Sequence, residues 1–217
     1  MSNLRSNPVK TILEGDFNSR VHRISPQECT FETAAACVNG WRKGGRLSVF
    51  NAGTYDILTR NHILGLVQCR TLGAMTLLGL EKIETDSQQR AVHKLAASEA
   101  VHLMVTLDTD MAIREAKSRL PSKGGAPKPT LGWDTRAAML AMQSIPIEGY
   151  ASRRHAVDFI TRHGPECCQA CAAEKCINRD NALMAVGLQP DLVVVNADSV
   201  NTVRDIKSYQ EEAGQSH

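Results

Sequence analysis

No apolar run in this 217-residue chain approaches the length of a membrane span; runs such as Leu192–Val195 are short, and a bilayer-crossing helix needs about 20 apolar residues. The sequence is therefore expected to have no membrane partner. The stretch from Met1 to Gly15 holds Arg5 and Lys10 but no apolar segment of signal-peptide length, so export is not indicated and a cytoplasmic location is the expectation. Charge of one sign is also scarce. Twenty-five Lys and Arg against 23 Asp and Glu leave a net charge of +2, too small to mark the basic face that nucleic acid requires, which argues against such a partner.

What is there reads as globular. Hydrophobic residues make up 42% and charged residues 22%, and the length suits one well-filled domain better than two. Residues 1–29 lack periodicity and read as an N-terminal extension, leaving 30–217 as the domain. From Thr30 to Arg42 the residues Phe31, Ala34, Ala35, Val38 and Trp41 recur at helical spacing, and Gly44-Gly45 should end that helix. Arg46–Ala52 is strand-like, and Asn61–Leu72 reads as a helix. Thr85–Ala97 is helix-favouring, His102–Leu107 is a second strand candidate, and 122–131 is a Gly/Pro/Lys loop. Beyond it we expect a helix over Thr135–Gln143, a strand over Ile145–Tyr150, a helix over Arg153–Arg162 and an apolar strand over Asp191–Asn196. Strands separated by helices imply an α/β fold of the three-layer, Rossmann-like α/β/α kind, with a parallel sheet covered on both faces.

In such a sheet, ligands gather where strands end at their carboxyl edge, which makes the turn after Ala52 the natural site. Gly53 lets the backbone approach a phosphate closely, and a helix opening near Asn61 would aim its N–H groups and positive dipole end at an anion. His62 falls in the first turn of that helix, where an imidazole donor can bind a phosphoryl oxygen.

The segment VFNAGTYDILTRNHI resembles the signature of the cytidylyltransferase-like nucleotidyltransferases, a strand followed by G-[TC]-[FY]-D-[LIP]-[LI]-[HT]-x-G-H. Gly53, Thr54, Tyr55, Asp56, Leu58, Thr59 and His62 occupy matching positions. Thr59 stands where many members have histidine, as in phosphopantetheine adenylyltransferases, and Asn61 replaces the usual glycine, a residue type that tolerates positive φ. The helix ending at Gly44-Gly45 resembles the lead-in to the nucleotidyltransferase domain of bifunctional ADP-heptose synthases. Val105–Asp110 is similar to the family's second strand, WDTRAAMLAMQSIP to its E-R-x-x-x-L helix, and LQPDLVVVNAD to its K-P-D-V-x-V-x-G-D strand. Some 25 residues, 75–100, stand as an insertion relative to the family.

The resemblance implies a Rossmann-like nucleotidyltransferase that moves AMP or CMP from a nucleoside triphosphate, ATP or CTP with Mg²⁺, to a phosphorylated small molecule and releases pyrophosphate. Thr59 and His62 would hold α- and β-phosphate oxygens. Arg136 and a lysine among Lys117, Lys123 and Lys128 would bind the β- and γ-phosphates. Ala52, Gly53, Thr54, Tyr55, Asp56, Asn61, Asp110, Asn196 and Asp198 would surround the nucleotide, and a homodimer is a family-level expectation.

Seven cysteines are many for a reducing compartment, and four of them fall within Cys167–Cys176. His163, Cys168, Cys171 and Cys176 have the spacing H-x4-C-x2-C-x4-C, which suits a structural, tetrahedral Zn²⁺ stapling the loop 163–176. Cys167 could replace Cys168 and His155 could replace His163; plain thiols or a disulfide are the other readings of the same residues. Two functions from different classes remain open at this point: the transferase, and a non-catalytic, zinc-containing module on the same fold that binds nucleotide or nucleic acid.

Overall fold

The computed structural model describes residues 31–118, 129–143, 156–163 and 187–195, together with 207 and 211. The first helix, α1 (Phe31–Lys43), buries Ala34, Val38 and Trp41, the periodic face read from the sequence. It is closed by Gly44 N–H to Gly40 O at 3.1 Å and Gly45 N–H to Arg42 O at 3.0 Å, with Gly45 at φ +68°. A left-handed residue is needed to turn the chain there, and glycine takes it without a Cβ penalty. β1 (Leu47–Gly53) follows at once.

The helix α2 (Arg60–Leu77) runs past the expected Leu72. The segment 75–100 is therefore partly the end of α2 and partly α3 (Asp86–Ala96), whose N-cap Thr85 accepts from Gln88 N–H at 3.2 Å. Val92 and Ala96 of α3 are fully buried, so this stretch completes the core. β2 (Val101–Asp108) is buried along its whole length. It leads into α4 (Asp110–Ser118), and α5 (Trp133–Ala141) comes after the Lys-rich segment.

One expectation is corrected. The sequence predicts a helix over 153–162, but 159–163 form β3 (Phe159–His163), paired in parallel with β2 from Met104↔Phe159 to Asp108↔His163. The run Phe159-Ile160-Thr161 is buried, and aromatic and β-branched side chains fit a pleated, covered surface better than a helix. The expected strand over 145–150 lies outside the described residues.

The sheet has the order β3-β2-β1-β4, all parallel, with β4 (Leu192–Val193) beside β1. Side-chain alternation gives it two covered faces. Leu47, Val49, Leu103, Val105 and Leu107 pack with α2, α3 and α5, including Leu66, Val92, Trp133 and Leu140. Phe50, Met104 and Phe159 pack on the other side with Ala34, Val38 and Trp41 of α1. A mixed α/β fold with helices on both faces of a parallel sheet is thus present, and it is compatible with the Rossmann-like class. Among the described residues no helix is long and apolar enough to cross a membrane.

The chain moves outward from β1 through β2 to β3, then returns to the other side of β1 for β4. That reversal puts a crevice at the carboxyl end of β1. The opposite, amino-terminal edge is closed by Arg70, fully buried on α2. Its guanidinium donates to Ala96 O at 2.8 Å, Val101 O at 2.7 Å, Ser98 O at 3.1 Å and Asp158 Oδ2 at 2.7 Å.

Candidate functional site

The residues at the carboxyl end of β1 and β2 form a connected group. Gly53 ends β1, and the ring of Tyr55 lies directly over it: a Cβ on Gly53 would sit 2.9 Å from Tyr55 Cε2. Tyr55 is itself the left-handed residue of the turn, at φ +47°. A non-glycine residue in that region is strained and persists only where its surroundings hold it. What holds it is visible. Its hydroxyl donates to Asn51 Oδ1, and Asn51 Nδ2 donates to Val194 O at 2.8 Å, joining the turn to β4. Burial pushes the Tyr55 phenol well above its ordinary range, with the nearby Cys69 and Asp108 adding to the effect, so it remains a neutral donor.

Asn61 stands where the resemblance puts a glycine and where positive φ is tolerated. It lies instead inside the first turn of α2, with no left-handed backbone.

Thr59 is the N-cap of α2, extended at φ −106°, ψ 168°. Its N–H donates to Nδ1 of His62 at 3.1 Å, and its hydroxyl lies 3.1 Å from the same atom. An imidazole here does what a glutamate does at the third position of a capping box. Because Nδ1 accepts a backbone N–H, the neutral ring carries its proton on Nε2. The ring also lies 5.3 Å from that of Tyr55, tilted by 49°. Ile63 N–H is bonded to Thr59 O at 3.2 Å, while the N–H groups that precede it are the ones a helix start leaves without intrahelical partners. The turn thus offers one imidazole donor and a set of backbone donors on a partial positive charge.

Thr54 and Asp56 face inward to the protein. Thr54 Oγ1 donates to Asp108 Oδ2 at 3.2 Å, and Asp56 Oδ1 accepts from Thr130 N–H at 2.7 Å and Leu131 N–H at 3.0 Å. Asp110 opens α4, with the preceding Thr109 accepting from Ala112 N–H at 3.2 Å. No protein-family model matches this chain, and no curated protein matches it.

Arg136 differs most from its sequence reading. The resemblance implies a guanidinium that faces phosphate. It is 0% exposed. Its Nε donates to Leu131 O at 3.1 Å, Nη1 to Thr54 O at 2.5 Å, and Nη2 to Asp108 O at 2.7 Å and Asp110 Oδ1 at 2.8 Å. Four of its five N–H groups are committed to the protein.

The structure therefore brings Ala52, Gly53, Thr54, Tyr55, Asp56, Thr59, Asn61, His62, Asp110 and Arg136 to one edge of the sheet. Sequence reasoning missed Asn51 and Asp108 as members of this group; an Asn inside an otherwise apolar strand run, Val49-Phe50-Asn51-Ala52, was the available signal for the first. Lys123, Lys128, Asn196 and Asp198 lie outside the described residues, as do Cys168, Cys171, Cys176, Cys167 and His155. His163 closes β3 opposite Asp108, and its side chain lies outside the description as well. Among the described residues no three His, Cys, Asp or Glu side chains come together to hold a metal ion.

Proposed function

We propose that this chain is a nucleotidyltransferase that moves AMP or CMP from ATP or CTP to a phosphorylated small molecule, with release of pyrophosphate. One observation carries the reading: a histidine in the first turn of the helix that follows β1, with Nδ1 held by Thr59 N–H so that Nε2–H is the donor, at the reversal point of a parallel sheet. Its likeness to the cytidylyltransferase-like signature over 49–63 supports the same conclusion.

The reaction needs no covalent intermediate. An oxygen of the acceptor's phosphate attacks the α-phosphorus in line, the bond from that phosphorus to the bridging oxygen breaks, and pyrophosphate leaves with the electron pair. The protein contributes positioning and positive charge where negative charge grows. The first-turn N–H groups of α2 would hold phosphate oxygens in the ground state, and His62 Nε2–H would strengthen its bond as charge develops. Lys123 and Lys128 would supply the cationic contacts that Arg136, committed to carbonyl oxygens, has little capacity left to make. Mg²⁺ would neutralise the triphosphate's oxygens. Asp56, Asp108 and Asp110 already accept hydrogen bonds, which suits an ion arriving with the triphosphate and water better than a cage of side chains.

Pyrophosphate release from ATP and CTP, with sugar phosphates as acceptors, is the direct measurement. Binding at 100 times Kd should also raise stability by about 2.7 kcal/mol. His62→Ala should lower turnover by roughly 10²–10³-fold, the usual effect of removing one donor to developing charge. It should also cost about 1 kcal/mol of stability, because the ring caps α2; His62→Asn, which keeps an acceptor, should recover part of that. Wild-type turnover in His62→Ala would sink the reading.

The burial of Arg136 favours a second reading, a module that binds the triphosphate without transferring it. Saturable binding of ATP or CTP with no pyrophosphate release from any acceptor would select it.

A further inference from the structure

We propose that Arg136 is an internal tie that fixes three loops of the sheet's carboxyl edge as one rim, rather than a ligand for phosphate. The guanidinium reaches Thr54 O in the loop after β1, Asp108 O and Asp110 in the turn after β2, and Leu131 O in the approach to α5. Each of these segments is then joined to another independently of Arg136. Asp56 returns from the β1 loop to the N–H groups of Thr130 and Leu131, and Thr54 Oγ1 reaches Asp108 Oδ2. The bonds close a cycle: 54–56 to 130–131, 131 to 136, 136 to 108–110, and 108 back to 54. Trp133 Nε1, donating to Leu107 O at 3.1 Å, anchors the start of α5 to β2 beside it.

Only a guanidinium can do this from one side chain. Its donors spread in a fixed planar fork and meet several carbonyl oxygens at once, whereas a lysine presents three donors from a single atom. Removing a fully buried cation from water is costly, and three charge-assisted bonds to carbonyl oxygens together with one to the Asp110 carboxylate offset that cost. The rim ends three residues before Thr59, the N-cap that fixes His62. A site on loops is only as precise as what holds the loops, so Arg136 and Asp56 are positioning residues for the α2 turn. In what the rim serves, this inference rests on the transferase reading; in what holds the rim together, it does not.

Amide hydrogen exchange of the full chain without nucleotide separates the two. In Arg136→Lys, amides of 54–57, 109–111 and 130–132 should exchange faster together, by roughly 5–30-fold, while the β2 amides 102–107 keep wild-type protection. Unchanged exchange at the three loops would overturn the proposal in favour of a phosphate ligand, and uniform acceleration through β2 would overturn it in favour of plain global destabilisation. If Arg136→Lys does not fold, Asp56→Asn serves: acceleration spreading from 130–131 to 109–111 supports a closed cycle, and acceleration confined to 130–131 overturns it. Because nucleotide is absent, failure of the transferase reading leaves this result standing.

Discussion

Two glycines on α2 make opposite demands on the same substitution. A Cβ built on Gly73 would lie 2.7 Å from Val101 Cγ1, 2.8 Å from Val49 Cγ2 and 3.2 Å from Leu47 Cδ2, whereas a Cβ on Gly65 would meet nothing within 4 Å. Alanine in a helix interior is favoured over glycine by about 1 kcal/mol, and both variants gain that term. Gly73→Ala must also push apart atoms that prefer roughly 3.5–4.0 Å. Val49 and Val101 are 0% exposed on β1 and β2, so neither methyl has open space to move into, and overpacking of this kind costs about 1–3 kcal/mol. Gly65→Ala is therefore expected to stabilise by up to about 1 kcal/mol, and Gly73→Ala to be neutral or destabilised by about 2. Their difference cancels the propensity term and isolates the steric one, about 1–3 kcal/mol, or some 2–4 °C in Tm per kcal/mol for a chain of this size. Urea denaturation of both variants at one pH measures it. Equal stabilisation of the two would refute the close seating of α2 on the β1–β2 pair, and with it the placement of the Thr59–His62 turn, which lies about 16 Å along the same helix axis.

Two carboxylates carry further expectations. Asp158→Ala should cost about 3–5 kcal/mol in a denaturation experiment, because it strips the carboxylate from fully buried Arg70 and the acceptor from Leu103 N–H; a loss under about 1 kcal/mol would mean the ion pair is not desolvated. Asp191 accepts Ser48 N–H at 2.8 Å and Ser48 Oγ–H at 2.6 Å beside Arg42, and although burial pushes its carboxyl up, these bonds prevail and leave it below the ordinary 3.8. A depressed value means that the stabilisation is fully present above the ordinary carboxylate range and is lost as pH falls through the folded-state value. The stability gap between wild type and Asp191→Asn should therefore close below about pH 3.8, and a gap that stays constant down to pH 2 would refute the linkage.

Local signals carried most of the architecture. The α1 stripe, its glycine stop and the alternation from helix to strand through β2 are properties of neighbouring residues, and each appears where periodicity and turn chemistry put it. β3 was missed because Arg153–His155 and Asp158 give 153–162 the polarity of a helix surface, while Asp158 in fact turns inward to Arg70 and Leu103 N–H. The turn after β1 was legible as a place. Its internal strain was not, since nothing in Gly-Thr-Tyr-Asp says that the tyrosine rather than Asn61 takes positive φ; that is settled by Asn51 and Val194, the latter 139 residues further along the chain than Tyr55. The surroundings of Arg136 were illegible for the same reason. Its partners at Thr54, Asp108 and Asp110 are between 26 and 82 residues away, and no local pattern distinguishes a guanidinium that meets carbonyl oxygens from one that meets phosphate.

Two arginines are fully buried among the described residues, and they sharpen what a functional role can rest on here. Arg70 and Arg136 stand at opposite edges of one parallel sheet, each 0% exposed and each donating to three backbone carbonyls and one aspartate. A parallel sheet leaves carbonyl and N–H groups without ladder partners where its strands give way to loops, and buried ones must be satisfied. A planar fork with five donors answers that need at either edge, so burial of an arginine near strand ends is by itself evidence of architecture. What distinguishes the carboxyl edge is not its arginine but the group that architecture does not consume. His62 spends Nδ1 on the helix cap and leaves Nε2–H as a donor, in a turn whose backbone N–H groups lack intrahelical partners. At the amino edge the corresponding imidazole, His102, is stacked flat on Trp41 at 4.4 Å, with Nδ1 3.5 Å from Asp158 and Nε2 3.4 Å from Arg46. Both of its nitrogens are engaged by the protein. The proposed chemistry therefore rests on His62, whose Nε2–H stands beside the open first turn of α2 at the end of β1.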